Sequence, residues 1–174
     1  MQEPANELAQ TGVQRWAAAV VMERTALNNR WASEKWEAKC VIPDLTPDGA
    51  PRVVVDTPQI TQILFSGLAI RLQPDEAEGY YLNVTSTQPK VFVLWRMGET
   101  MGRAAAEPQM LTVSYHEGSR WLDSGEQVDG VPLPVELIGW IAEFSERNYR
   151  PEERKKPKYA TSKDKGRMGN WRPD

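Results

Sequence analysis

In several short runs, apolar side chains fall at every second position, and each run is bounded by Gly, Pro or Asn. Val91, Val93 and Trp95 share one face of residues 91–96, and Leu111, Val113 and Tyr115 share one face of residues 111–115. In residues 80–85, Tyr80, Leu82 and Val84 lie on one face and Asn83 and Thr85 on the other. Period-2 alternation between turn formers is the signature of antiparallel strands with one wet face. Four more segments extend the series: 15–23, 35–42 stopped by Pro43, 60–66 stopped by Gly67, and 68–72 stopped by Pro74. Residues 44–58 hold Pro47, Gly49, Pro51 and Pro58, so they are expected to be mostly loop despite Val53, Val54 and Val55. The polar, Ala-rich stretch 98–108 is expected to be a surface loop or a short helix.

One helix is expected, over 134–148. Pro134 suits a first helical turn, and Leu137, Ile138, Ile141 and Phe144 recur at helical spacing. Seven short strands followed by an amphipathic helix define an α+β fold: an antiparallel, partly closed sheet or barrel carrying a C-terminal helix and a basic extended tail. The order also fits a pleckstrin-homology-like barrel. A single domain over 15–148 is expected, with a flexible lead-in at 1–14 and a basic tail at 149–174.

Charge divides the chain sharply. Residues 147–174 carry ten basic side chains against four acids, a net +6, whereas the other 146 residues carry 11 basic and 20 acidic, a net −9. The tail contains Tyr149, Tyr159, Met168 and Trp171 but no Leu, Ile, Val or Phe. Ordering a residue costs about 1–2 kcal/mol of backbone entropy, which so few apolar groups cannot offset, so the tail is expected to be mobile in isolation. Its cations and aromatics would suit nucleic acid, but an acidic body repels a polyanion held close. Draping over an acidic protein surface is the favoured reading.

Chemistry is thinly represented. One Cys and one His exclude an internal disulfide and any Cys-rich or His-rich metal site. His116, with Ser114 and Ser119 nearby, reads as an exposed strand-end residue, because neighbours on a strand point to opposite faces. Cys40 lies among Ala38, Val41 and Ile42 and reads as a small buried hydrophobe. Carboxylates at Asp75, Glu76 and Glu78 and at Asp123 and Glu126 read as solvated surface. No GxGxxG, GxxxxGK[ST] or CxxC pattern occurs. No catalytic residue, cofactor or metal is therefore expected. Residues 1–12 lack a basic segment followed by an apolar core, and no run reaches the ~20 apolar residues of a membrane helix, so the cytoplasm is the expected compartment.

Seven Trp is a large number for 174 residues. Most should be core, while Trp31 and Trp171, in polar surroundings, are the interface candidates.

Several segments taken in order resemble a known family. Val20-Val21-Met22-Glu23-Arg24 is followed by Asn29-Arg30-Trp31, Trp36 and Val41-Ile42-Pro43. Glu78-Gly79-Tyr80-Tyr81-Leu82-Asn83 then leads through Gln88-Pro89 to Val91-Phe92-Val93. Leu122-Asp123-Ser124-Gly125-Glu126 precedes Val128-Asp129-Gly130-Val131-Pro132-Leu133-Pro134, the Trp140 helix and the Lys-rich tail. Across residues 15–160 this order resembles an uncharacterised bacterial domain-of-unknown-function family encoded beside molybdenum-dependent formate dehydrogenase genes.

The resemblance implies an association with formate oxidation and carries over no catalytic residue. The expected function is a non-catalytic accessory or structural subunit docking on the large (molybdopterin) subunit of a formate dehydrogenase. Trp31 and Trp171 would be the apolar anchors, and Arg147, Arg150, Arg154, Lys155, Lys156 and Lys158 would supply the charge. The alternatives are a transient chaperone for molybdopterin insertion and a nucleic-acid-binding module.

Overall fold

Seven strands form two antiparallel sheets in the computed structural model, which describes residues 12–151. The first sheet contains β1 (Gln14–Ala26), β2 (Glu34–Pro43), β3 (Arg52–Asp56) and β4 (Ile60–Leu72), in the order β2-β1-β4-β3. The second contains β5 (Lys90–Thr100), β6 (Arg103–Thr112) and β7 (Gln127–Pro132), in the order β6-β5-β7. Three helices complete the described residues: α1 (Ala77–Val84), α2 (Tyr115–Asp123) and α3 (Val135–Asn148). The sheets do not close into a barrel, because no strand of one pairs with a strand of the other. The lead-in at 1–11 and the tail from residue 152 lie outside the described residues.

The core is built from the alternation. Ala18, Val20 and Met22 of β1 point inward with Phe65, Ile70 and Leu72 of β4. They meet Val91, Val93 and Trp95 of β5 and Leu111 of β6. Leu137, Ile141 and Phe144, at helical spacing on α3, join the same cluster, and Trp140 Nε1 donates to Gln14 Oε1 at 2.6 Å.

Several expectations are corrected. Residues 80–85 are not a strand: Pro74–Glu76 form a 3-10 turn that runs into α1. The buried set there, Ala77, Tyr80 and Asn83, repeats every three residues, and that helical period is what the alternating Tyr80, Leu82 and Val84 concealed. Residues 98–108 are not a loop or helix but the tip of the β5–β6 hairpin. Its two-residue turn, Met101-Gly102, has φ of 53° and 75°. Residues 44–58 are mostly loop, as the Pro and Gly positions imply, but they also contain β3, an edge strand with every residue exposed. Finally, the strand expected at 111–115 stops at Thr112, and α2 follows. The Ser114 hydroxyl caps α2 by accepting from the Glu117 N–H at 3.1 Å. His116 consequently sits in a first helical turn.

Gly67 does not end a strand either. With φ of 83° it sits in a bulge inside β4, and its N–H donates to Asp44 Oδ2 at 2.7 Å. Gly79 is required for a different reason. A Cβ there would lie 2.1 Å from Ser114 Oγ, so only glycine lets α1 approach the start of α2.

Two buried side chains tie separate elements together. Asn83 is fully buried; its amide donates to Lys90 O (2.7 Å) and Val113 O (2.8 Å), and its Oδ1 accepts from Lys90 N–H (2.9 Å). Tyr80 packs edge-on against Phe144, donates its hydroxyl proton to Arg71 O (3.3 Å) and accepts from Gln73 N–H (3.0 Å). Burial drives the Tyr80 phenol well above its ordinary value.

Between the sheets, Asp129 on β7 supplies a link. A bulge leaves Lys39 as the extra residue of β2. Next to it the Ala38 N–H donates to Asp129 Oδ2 at 2.8 Å, and Trp95 Nε1 donates to the same oxygen at 2.8 Å.

Asp129→Ala strands both donors and is expected to lower the unfolding free energy by about 2 kcal/mol, measured by urea denaturation. The folded state holds the Tyr80 proton more tightly than the unfolded chain does. That contribution is complete below the ordinary tyrosine value of about 10 and is lost as pH rises above it. Melting temperature should therefore decline above pH ~10, and Tyr80→Phe should make the decline shallower.

Candidate functional site

The sheets splay at the end where the β1–β2, β3–β4 and β5–β6 turns gather, leaving a cleft of about 470 Å³. Ile63 and Val53 from one sheet and Ala105 from the other give it an apolar floor, with Trp36 alongside. Met101 and Arg103 of the hairpin tip form its lip. The volume lies within the range of ligand-binding clefts.

A chain of polar contacts crosses the wall. Arg24 Nη2 donates to Thr61 Oγ1 at 3.1 Å, and Thr61 Oγ1 donates to Asp56 Oδ1 at 3.4 Å. Arg24 Nη1 also reaches Glu34 Oε2 at 3.5 Å, and Trp36 Nε1 donates to Glu34 Oε1 at 3.2 Å. Arg24 and Glu34 are partly exposed, so their ion pair adds little stability, about 0–1 kcal/mol. The same contacts do hold the Trp36 indole and the Arg24 guanidinium in fixed positions. An apolar floor beside a charged rail suits an amphipathic segment whose polar backbone needs partners.

Trp31 stands on the β1–β2 turn, at this same end, and is 94% exposed. The turn that carries it is built. Asn29 Oδ1 accepts from the N–H groups of Trp31 (2.9 Å) and Ala32 (2.7 Å), and Leu27 N–H donates to Ser33 O at 2.8 Å. Of the remaining tryptophans, Trp95 is buried, and Trp16, Trp36 and Trp140 pack on the core while partly exposed.

The other sequence-level site residues fall elsewhere. Arg147 is exposed in the last turn of α3 and donates to Glu143 Oε1 at 3.0 Å. Arg150 is exposed just past that helix. Between them the Tyr149 ring packs 5.3 Å from Tyr81 of α1. Neither arginine lines the cleft. Arg154, Lys155, Lys156, Lys158 and Trp171 lie outside the described residues.

The catalytic-type side chains are engaged separately. His116 Nε2 lies 3.6 Å from Glu78 Oε2 at the surface. Ser114 Oγ donates to Glu76 Oε2 at 2.6 Å, and Glu76 also takes Arg120. Arg96 holds the Glu126 carboxyl below its ordinary value by hydrogen bonding. Cys40 is half-buried and outside the core cluster, contrary to the expectation of a core residue; burial still pushes its thiol up. Among the described residues no group of three His, Cys, Asp or Glu is placed to hold a metal ion. No described helix is long and apolar enough to cross a membrane.

The residues lining the cleft were missed from sequence. Arg24, Trp36 and Arg103 come from strands of two sheets and Met101 from the hairpin turn, and no local pattern links them. The one signal available was Met101-Gly102 as a two-residue turn between alternating segments.

Among the described residues, two antiparallel sheets and three helices make an α+β fold that carries a polar-railed cleft and a displayed indole. The chain belongs to the family described as protein of unknown function (DUF3305), which matches residues 17–158. No curated protein and no solved structure matches it.

Met101 adopts a left-handed backbone that glycine takes at no steric cost. Met101→Gly is expected to raise the unfolding free energy by about 1 kcal/mol in urea denaturation.

Proposed function

We propose that this chain is a non-catalytic accessory subunit that docks on the large, molybdopterin-binding subunit of a molybdenum-dependent formate dehydrogenase. The observation that carries a docking role is Trp31, an almost fully exposed indole on a hydrogen-bonded turn at the cleft end of the first sheet. Covering a Trp removes roughly 200 Å² of mostly apolar surface from water, worth roughly 5 kcal/mol before the costs of association. A turn already fixed by Asn29 avoids part of the ordering cost. The resemblance of the ordered segments to a family encoded beside formate dehydrogenase genes supports the identity of the partner. Arg147 and Arg150, together with Arg154, Lys155, Lys156, Lys158 and Trp171 in the basic tail, supply a second contact by charge. Docking through them weakens as salt rises.

The test is affinity capture of the native chain from its host at low and high salt. Recovery of the dehydrogenase large subunit is expected at low salt, with less at high salt. Recovery of the chain free of any dehydrogenase subunit at low salt overturns the proposal. Capture of the cofactor-free subunit but not of the finished enzyme would make the chain a maturation chaperone instead. Trp31→Ala is expected to weaken capture tenfold or more, the scale of an interface hot spot at about 1.4–2 kcal/mol, without changing the melting temperature.

A further inference from the structure

We infer that Arg15 and Arg71 form a binding site for the phosphate group of a small phosphorylated compound. The two residues are direct cross-strand partners on β1 and β4. Side chains so placed share a face, with Cβ atoms about 5 Å apart, and like charges in that position destabilise a sheet. The chain as a whole is not short of acids, carrying 24 Asp plus Glu. Arg24, Arg96, Arg120 and Arg147 each have a carboxylate partner. Among the described residues the other six arginines have none, and of these Arg15 and Arg71 are the two that face each other across a ladder.

Both arginines are exposed, and both line one recess of about 290 Å³ in the corner between β4 and β6. Gln73 and Gln109 line it as well; Gln109 Nε2 donates one proton to Glu107 O at 3.1 Å, which leaves its second amide proton and the Gln73 amide as donors beside the two guanidinium forks. Glu117 is the one carboxylate of the lining, and its Oε2 already accepts from Thr112 Oγ1 at 2.6 Å. Tyr80 also reaches the recess, but its hydroxyl is held by Arg71 O and Gln73 N–H.

A guanidinium pair presents planar N–H forks that match an oxyanion bidentately, and a doubly charged anion between them cancels their repulsion. The recess is larger than a bare phosphate ion needs. The remaining space, walled by Leu68, Met110 and Leu111, would take a short carbon skeleton. This site is independent of the cleft between the sheets, with which it shares no lining residue.

The experiment uses the full chain, inorganic phosphate as probe, and sodium chloride at matched ionic strength as control. For the wild type, 10 mM phosphate is expected to raise the melting temperature by about 2 °C or more over chloride. Arg71→Gln and Arg15→Gln should each melt higher than wild type in chloride, because the repulsion is gone, and should lose the phosphate response. Both positions are exposed, so either variant should fold. An equal phosphate response in wild type and variants overturns the inference, as does no response in wild type or a lower melting temperature of both variants in chloride.

Discussion

Two sheets that share a core but no backbone ladder need side chains to set how they meet, and Asp129 is the one that spans them. A single carboxylate oxygen collects the Ala38 N–H from one sheet and the Trp95 indole N–H from the other. Apolar packing between the sheets is non-directional and would tolerate sliding; two hydrogen bonds to one oxygen do not. The bulge at Lys39 is part of the same arrangement, since it occurs where the neighbouring Ala38 N–H bonds across to β7. At the other end of the second sheet, Asn83 does comparable work, joining α1 to the first residue of β5 and to the chain entering α2. Asp129 joins the sheets next to the strand residues that lead to Trp36, and beyond it the cleft opens between Trp36 and the hairpin tip.

How much could be read from the sequence depended on whether one face of a segment was dry. β1, β2, β4 and β5 were legible as β-forming apolar runs between turn formers, with Val91, Val93 and Trp95 of β5 turned inward at every second position. β3 and β7 were not. Residues 52–56 are exposed throughout, so Val53, Val54 and Val55 make no in–out contrast, and residues 127–132 are short, with Pro132 ending the strand. The helix α1 was misread because Tyr80, Leu82 and Val84 happen to alternate along the sequence, while the residues that decide its packing include Asn83, a polar side chain satisfied only by tertiary contacts. For α2 the signal was present: Ser114 followed three residues later by Glu117 is the pattern of a capping box. Its form here is indirect, since Ser114 N–H donates to Thr112 Oγ1, which in turn donates to Glu117 Oε2.

The candidate site was legible only in part. Trp31 stood out because an indole among Asn and Arg has no apolar neighbours in sequence to pack on, and it is almost fully exposed. Arg24 and Trp36 gave no such sign. A strand arginine beside buried valines reads as an ordinary edge charge until Thr61 and Asp56 arrive from strands some 30 residues later. Sites assembled from several strands escape a linear reading for that reason, whereas a residue displayed on its own turn does not.

The arrangement of β3 bears on how the protein behaves at the concentrations of a purification. An outermost strand rich in valine is ordinarily a template on which further chains can stack, the first step towards fibrils. Here Val54 is an extra residue that throws the strand out of register with β4, and Arg52 and Asp56 bracket the three valines with charge. A kinked margin with charged ends is a poor surface for runaway stacking. Straightening it by deleting one valine would remove that protection, although it would look harmless in a tally of apolar residues.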